Sequence, residues 1–471
     1  MRGLDGMFAK FDRNSKVPLK KQIYDSIIND ILTGKLKAGV KMPSTRILSD
    51  TLSVARNILV EVYEQLTSEG YLEVVKGKGT FISYLEIKPI QERKMKKEIY
   101  QPAKLNDVIS FECGIPDLRS FPRNVWAGYL KESMFDMTFQ ECGYSHILGY
   151  QPLRIELADY LHNYKGISCS SSQIIITSGT SDAMEFLSLL FRNRCTNFLY
   201  EEFTVPFIPD IFRLQGYQHM KSISADEEGI AVKELQDEPA SVICISPSHQ
   251  FPLGGTLSFE RRKIICDWLH RNQNYLIEDD YDSEFRYKGA SVNSLYQLAP
   301  EHVLHLGTFS KTLMPALRLG YMVIPEALLE EAMQLKVLLR KSIDLVNQIA
   351  LYKFIASSKY TKHIFQMKKI YKKRMLYITN RLKELFEDEI NINGENSGLH
   401  IAVTFMNYRF DAHFAEILLQ NGLAIDLLTD YHQNPSQETN TLIFGFGNLE
   451  LEVMEKGLER FKEVMSCYPR I

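Results

Sequence analysis

The chain has 471 residues, of which 45% are apolar and 24% charged, and a net charge of −3. That balance suits a folded protein of about three domains' length and excludes disordered and collagen-like classes. No apolar run reaches the roughly 18 residues that cross a bilayer, and the N-terminal MRGLDGMFAKFDRNSK has no apolar core of a secretory leader, so the expected location is the cytoplasm.

Charge is unevenly spread. Residues 1–84 hold 13 Lys and Arg against 9 Asp and Glu, leaving −7 on the remainder. A basic head on an acidic body points to a polyanion partner for the head alone. The seven cysteines, Cys113, Cys142, Cys169, Cys195, Cys244, Cys266 and Cys467, are scattered and never form C-x-x-C. They read as buried reduced thiols, with neither a disulfide framework nor a zinc site.

In chain order, residues 17–34 predict an amphipathic helix, with Leu19, Ile23, Ile27 and Ile31 four apart, Pro18 at its start and Gly34 at its end. Pro43-Ser44 predicts a second helix start, with Ser44 as N-cap. ARNILVEVYEQLTSEG predicts a third helix carrying Ile58, Val62 and Leu66 on one face, and YLEVVKGKGTFIS two short strands joined at Lys76–Gly79. Three helices and a basic hairpin make a winged helix-turn-helix over 15–83. Residues 84–104 are charge-rich with prolines at both ends and predict a linker. From 105 to 471, strand-like runs (QIIIT, NFLYE, SVICIS, NYLIEDD, HVLHLGT, GYMVI) alternate with helical stretches, which predicts a mainly parallel α/β sheet. A small α+β subdomain is expected from about 335.

Within the head, Arg56 and Asn57 open the third helix, the place from which side chains reach base edges in the major groove. Ser44 and Arg46 start the preceding helix, where a helix N-terminus and a guanidinium suit phosphate. Lys76 and Lys78 flank hairpin-tip glycines, with Thr80 on the return strand. Any one of these could be an ordinary solvated residue; as a set on this frame they predict binding to double-stranded operator DNA. The L-x-x-G-x-x-M-P-S-x-R and Y-x-x-L-x-x-E-G-Y-L segments resemble the GntR-family winged helix-turn-helix across 17–83. The chain departs from that family at Ala55 and Ile58, where Ser and Thr are common, which implies an altered operator preference.

In the body, an aldehyde cofactor with a phosphate tail needs an amine, an acid against its ring nitrogen and donors for the phosphate. Lys311, after the strand HVLHLGT, can supply the amine, and Asp279, in IEDDYDSEF, the acid. Tyr281 points the same way and can reach the ring oxygen. The Gly179, Thr180 and Ser181 amides open a helix after ITS and can cradle phosphate, with Thr308, Ser310 and Arg318 closing the cradle. Each signal is weak alone; their order, each at a strand end, is not.

FECGIPDLRSFPRNVW, GYSHILGYQPLR, ISPSHQFPLGG, IEDDYDSEFRY and FSKTLMPALRLGY resemble the MocR/GabR subfamily, a GntR-type head joined to a fold-type I aminotransferase-like body. The resemblance implies pyridoxal 5'-phosphate held as an aldimine on Lys311, with Asp279 at the ring nitrogen, Tyr281 and His249 near the ring oxygen, and Arg318 on phosphate. It also implies a head-to-tail homodimer in which Tyr144 reaches the phosphate of the neighbouring subunit. Two departures stand out. Where relatives have Pro-small-Tyr after NFLYE this chain has Phe203-Thr204-Val205, and Phe203 is the candidate ring. Aminotransferases also grip the substrate carboxylate with an arginine near the C-terminal Gly-Phe strand, whereas residues 410–459 contain no arginine. Either Arg119 or Arg213 takes that part, or the ligand is not a simple α-amino acid. The expected function is therefore a regulator that senses an amine or amino-acid-like effector through external aldimine formation at Lys311. A working aminotransferase with an added DNA-binding head is the alternative, and a purely structural body fits least.

Overall fold

The computed structural model describes residues 12–13, 15, 17–84, 108–143, 147–195, 197–226, 228–236, 238–271, 273–289, 293–340, 343–433 and 438–471. The expected linker thus lies, apart from Tyr84, outside the described residues, as does Tyr144. The chain divides into two compact units, Met1–Ala103 and Lys104–Ile471. No helix among the described residues is long and apolar enough to cross a membrane.

The head consists of helices Leu19–Leu32, Thr45–Leu52 and Arg56–Ser68 and the antiparallel strands Leu72–Val75 and Gly79–Ile82. Its core gathers the four-apart isoleucines Ile23, Ile27 and Ile31 with Leu48, Leu59, Val62, Leu66, Leu72 and Ile82. Fully burying each such side chain contributes about 1.5–3 kcal/mol to holding the unit together. The Ser44 hydroxyl accepts from the Ile47 N–H at 3.3 Å, capping the second helix. The third helix ends where Gly70 turns left-handed at φ 83°.

The body is built on a seven-stranded sheet in the order Ile174–Thr177, Gly320–Val323, Val303–Thr308, Tyr275–Asp280, Ser241–Ile245, Asn197–Glu201, His219–Ile223. Only Gly320–Val323 runs against its neighbours. The central strands are near-continuous Val, Ile and Leu because helices cover both faces. The His219–Ile223 edge strand is mostly exposed or half-buried and so lacks the apolar signature that marks the others.

The second sheet is antiparallel and orders Ile390–Asn393, His400–Phe405, Thr441–Gly445 and Asp426–Leu427. It packs with the 28-residue helix Lys359–Phe386 and the final helix Leu451–Cys467. Two details differ from the expected boundary near 335. Helix Leu345–Ala356 packs Ala350, Leu351 and Phe354 into the main core. Conversely, Ile109–Ser110, at the start of the body, pairs with Leu423–Ala424 beside the small sheet. The thiols also differ from expectation: all seven are free, but only Cys244 is fully buried, while Cys142 and Cys467 are exposed.

Candidate functional site

Parallel strands that end on one edge bring their C-terminal residues together. Here that edge carries Thr177, Glu201, Asp280 and Thr308, with Tyr281 and Lys311 in the loops beyond. The Lys311 amine donates to the Gly114 carbonyl oxygen at 2.7 Å. Gly114 has φ 73°, and a Cβ there would fall 2.3 Å from the amine nitrogen. Glycine is therefore required both for the turn and for the space the lysine occupies. Burial lowers the amine's proton affinity, opposed by Asp282, Cys113, Asp279 and Glu112.

The acids of IEDDYD sort by face. Side chains alternate along a strand, so Glu278 and Asp280 share one side and Asp279 takes the other. Glu278 accepts from the Leu295 N–H at 3.0 Å and lies 3.2 Å from His305. Asp280 is ion-paired with Lys165 at 2.7 Å. Asp282 lies 3.1 Å from His249 Nδ1. Among the described residues no hydrogen-bond donor reaches the carboxylate of Asp279, which burial and the neighbouring Asp280 charge push up to about 7. Tyr281 donates to the His249 backbone oxygen at 2.9 Å and lies 3.0 Å from its Nδ1, and burial holds its proton well above the usual range. His249 Nε2 is buried without a partner among the described residues.

Gly179, at φ 104°, turns the chain from strand Ile174–Thr177 into helix Thr180–Phe191. The first amides of that helix have no partner within it and carry the positive end of its dipole. The Arg318 guanidinium donates to the Ser181 hydroxyl at 3.2 Å and stands 3.6 Å from where a Gly179 Cβ would be. The Ser310 N–H bonds the buried Thr308 hydroxyl at 3.1 Å. The structure thus brings Gly179, Thr180, Ser181 and Arg318 together at the start of that helix. It separately joins Tyr281 to His249, and Lys311 to Gly114. These features fit pyridoxal phosphate: a buried amine, a buried acid lacking a donor and a helix start with Arg318 beside it.

The two arginines considered as carboxylate anchors are engaged elsewhere. Arg119 pairs with Asp117 and Glu450, each at 3.2 Å, and donates to the Asn448 carbonyl. Arg213 pairs with Asp210 three residues back in its own helix and donates to Gln433. Phe203 bridges to His432 and packs with Ala402, Ile443 and Tyr431.

Sequence reasoning missed Gly114. It also missed Glu201, a fully buried acid at the end of its strand that burial raises to about 8 while it accepts from the Ser246 N–H at 3.0 Å. The signal for Glu201 was an acid closing the otherwise apolar run NFLY. In the head, Ser44, Arg46, Arg56, Asn57, Lys76 and Lys78 are exposed and Thr80 is half-buried. Asn57 turns its side-chain oxygen to the Ile58 N–H at 3.0 Å. Among the described residues neither arginine and neither lysine of this set is ion-paired.

Comparisons with known proteins agree with both halves. The model of bacterial regulatory proteins of the gntR family matches residues 19–82, and that of aminotransferase class I and II matches residues 106–435. The HTH-type transcriptional regulator YdeL of Bacillus subtilis is 30% identical, covering 96% of this chain and 97% of its own. The probable rhizopine catabolism regulatory protein MocR of Rhizobium meliloti is 26% identical, covering 96% and 94%. Among solved structures, the Pyrococcus horikoshii kynurenine aminotransferase, determined in complex with PMP, superposes with a TM-score of 0.69 at 25% identity over 76% of this chain and 91% of its own.

The raised Asp279 carboxyl gives a testable pH effect. Its folded value exceeds its unfolded one, so its contribution is fully present below about pH 4 and is lost as pH rises through about 7. In cofactor-free protein, Asp279→Asn is expected to flatten the fall in melting temperature across that window. An unchanged slope in the variant contradicts the assignment of Asp279 as an unpartnered buried acid.

Proposed function

The chain belongs to the MocR/GabR subfamily, in which a GntR-family winged helix-turn-helix precedes a class I and II aminotransferase body, and from that premise we propose that it senses an amine at Lys311 and reports it to operator DNA through the head. It is a transcriptional regulator whose body is of the pyridoxal phosphate type. The observation that carries the sensing reading is a contrast within one site. The Lys311 amine lies against the Gly114 carbonyl, Asp279 is buried without a donor among the described residues and Arg318 meets Ser181, while Arg119 and Arg213, the arginines considered for a carboxylate, are held in ion pairs.

Pyridoxal phosphate supplies an aldehyde carbon that condenses reversibly with a primary amine and releases water. Lys311 is this chain's own amine for that carbon, and its lowered proton affinity keeps more of it nucleophilic at neutral pH. Asp279 would hold the ring nitrogen; a carboxyl raised by burial ionises when a cation is placed against it. Tyr281, oriented by His249, would hold the ring oxygen, and Phe203 is the candidate flanking ring. The amides of Gly179, Thr180 and Ser181, with Thr308, Ser310 and Arg318, would hold the phosphate. In the homodimer that the family implies, Tyr144 of a second copy would complete that cradle. Lys311 would be the group that a competing solution amine displaces, and its release would be the signal. On the DNA side, Arg56 and Asn57 would read base edges, and Ser44, Arg46, Lys76, Lys78 and Thr80 the backbone. A working aminotransferase is the second reading, favoured by the joint presence of Lys311, Asp279 and Tyr281; sustained conversion of an amine with a keto acid would establish it.

Borohydride reduction of the yellow holoprotein, followed by peptide mass analysis, is expected to place the cofactor on Lys311 and to leave nothing bound in Lys311→Ala. Capture on another lysine contradicts the assignment. For the head, Arg56→Ala is expected to cost about 1–3 kcal/mol at the specific operator and less on random DNA. Equal losses on both would mean that Arg56 contacts only phosphate.

A further inference from the structure

The strand Thr441–Gly445 lies between His400–Phe405 and Asp426–Leu427, with Ile443 registered opposite Ala402 on one side and Asp426 on the other. Cross-strand partners share a face, so these three side chains look the same way. Ala402, Leu428 and Ile443 form an apolar cluster of their own, joined by Phe203, Leu253 and Tyr431. Cys113 also joins it, and Cys113 precedes the glycine whose carbonyl receives the Lys311 amine. The cluster therefore borders the reactive lysine. Its polar members are few: the Asp426 carboxylate accepts from the Tyr431 hydroxyl at 2.6 Å and from the Cys113 N–H at 3.2 Å.

The charged side chains acting on Lys311 have one sign. The charged side chains that weigh most on Lys311 are Asp282, Asp279 and Glu112. Residues 410–459 hold no arginine, and their single lysine, Lys456, is exposed on the last helix. Arg374, on the helix Lys359–Phe386, is buried against Asp117 at 2.7 Å and donates to the Gly447 carbonyl. With Arg119 and Arg213 likewise engaged, a ligand carboxylate here would sit beside Asp426 with no arginine from residues 410–459 to pair with it, an unfavourable approach of like charge. An ammonium or hydroxyl would instead meet a carboxylate able to accept it, and a hydrocarbon body would meet Phe203, Leu253 and Tyr431, the half-buried side chains that pack over the fully buried Ile443 and Ala402.

Resting on the reading of Lys311 as the cofactor amine, we propose that the effector is a primary amine without a carboxylate. Its body is apolar, and any second polar group on it is cationic or hydrogen-bond donating. Ile443 and Asp426 are the specificity-determining residues: Ile443 leaves a carboxylate without a grip, and Asp426 repels it.

The test titrates the full-length holoprotein with matched pairs, isopentylamine against leucine, tyramine against tyrosine and putrescine against ornithine, following the cofactor's visible absorbance. In at least one pair the amine is expected to half-saturate at a concentration lower by about tenfold or more than its amino acid, each tenfold being about 1.4 kcal/mol. Ile443→Arg is expected to narrow or reverse that preference, and Asp426→Asn to weaken putrescine more than isopentylamine. The wild-type pairs decide the matter even if a variant fails to fold. An amino acid that half-saturates as low as its amine overturns the inference. So does silence from every pair while borohydride still captures the cofactor on Lys311, and in that case the role of Lys311 stands. Loss of that capture overturns the underlying reading instead.

Discussion

Burial of the Lys311 amine against the Gly114 carbonyl oxygen, 2.7 Å away, sets the conditions for the rest of the body. A buried amine needs either neutralisation or nearby acids, and the sheet supplies acids from two elements. Asp279 and Asp282 come from the end of strand Tyr275–Asp280 and the loop after it, and Glu112 from the segment before Gly114. Those acids must in turn be kept apart. Asp280 is drawn to the opposite face by Lys165, and Glu278 is fixed there by the amides of a short helix and by His305. On the Lys311 side Asp279 has no donor among the described residues, while Asp282 and a tyrosine both lie against His249. The same segment that carries Gly114 also opens with Ile109–Ser110, paired to Leu423–Ala424 beside the small sheet. The carbonyl that holds the lysine is thus tied directly to the subdomain whose strands line the proposed effector pocket.

Much of this was legible in the sequence because it rests on local pattern. Isoleucines four apart, Gly34 and Gly70 as stops, and Ser44 as a cap define the head without any distant contact. Runs such as VLHL and SVICI mark buried parallel strands by composition alone. Lys311, Asp279, Tyr281 and the Gly179 turn could be placed at strand ends for the same reason. What the sequence hid depends on long-range geometry. Nothing local distinguishes Gly114 from other turn glycines, since its requirement comes from a lysine 197 positions away. Glu201 and Asp426 look like ordinary acids until the strands beside them are assembled. Arg119 and Arg213 looked available as anchors because only part of what engages them is local: Asp117 and Asp210 are near in sequence, but Glu450 and Gln433 lie in distant segments. The helix Leu345–Ala356 carries buried side chains in the main core, so its membership there could not be read from chain position.

The electrostatic contrast between the two units gives the chain two separate chemistries. The head exposes cations at the start of its second and third helices and at its hairpin tip, as an anionic duplex requires. The body buries acids around an amine, as a cationic ligand requires. A ligand can alter DNA binding only to the extent that it binds the two DNA-binding states of the protein differently. On the proposed reading, the regulatory step lies in whatever differs about Lys311 and its surroundings between those states.

The most direct measurement of that coupling is operator affinity with and without a saturating amine that shifts the cofactor's absorbance, in wild-type protein and in Lys311→Ala. The account predicts that the amine changes the wild-type affinity severalfold or more in either direction. It predicts no change in the variant, which should still bind operator. An equal amine response in both proteins, or none in the wild type despite the absorbance change, would contradict it.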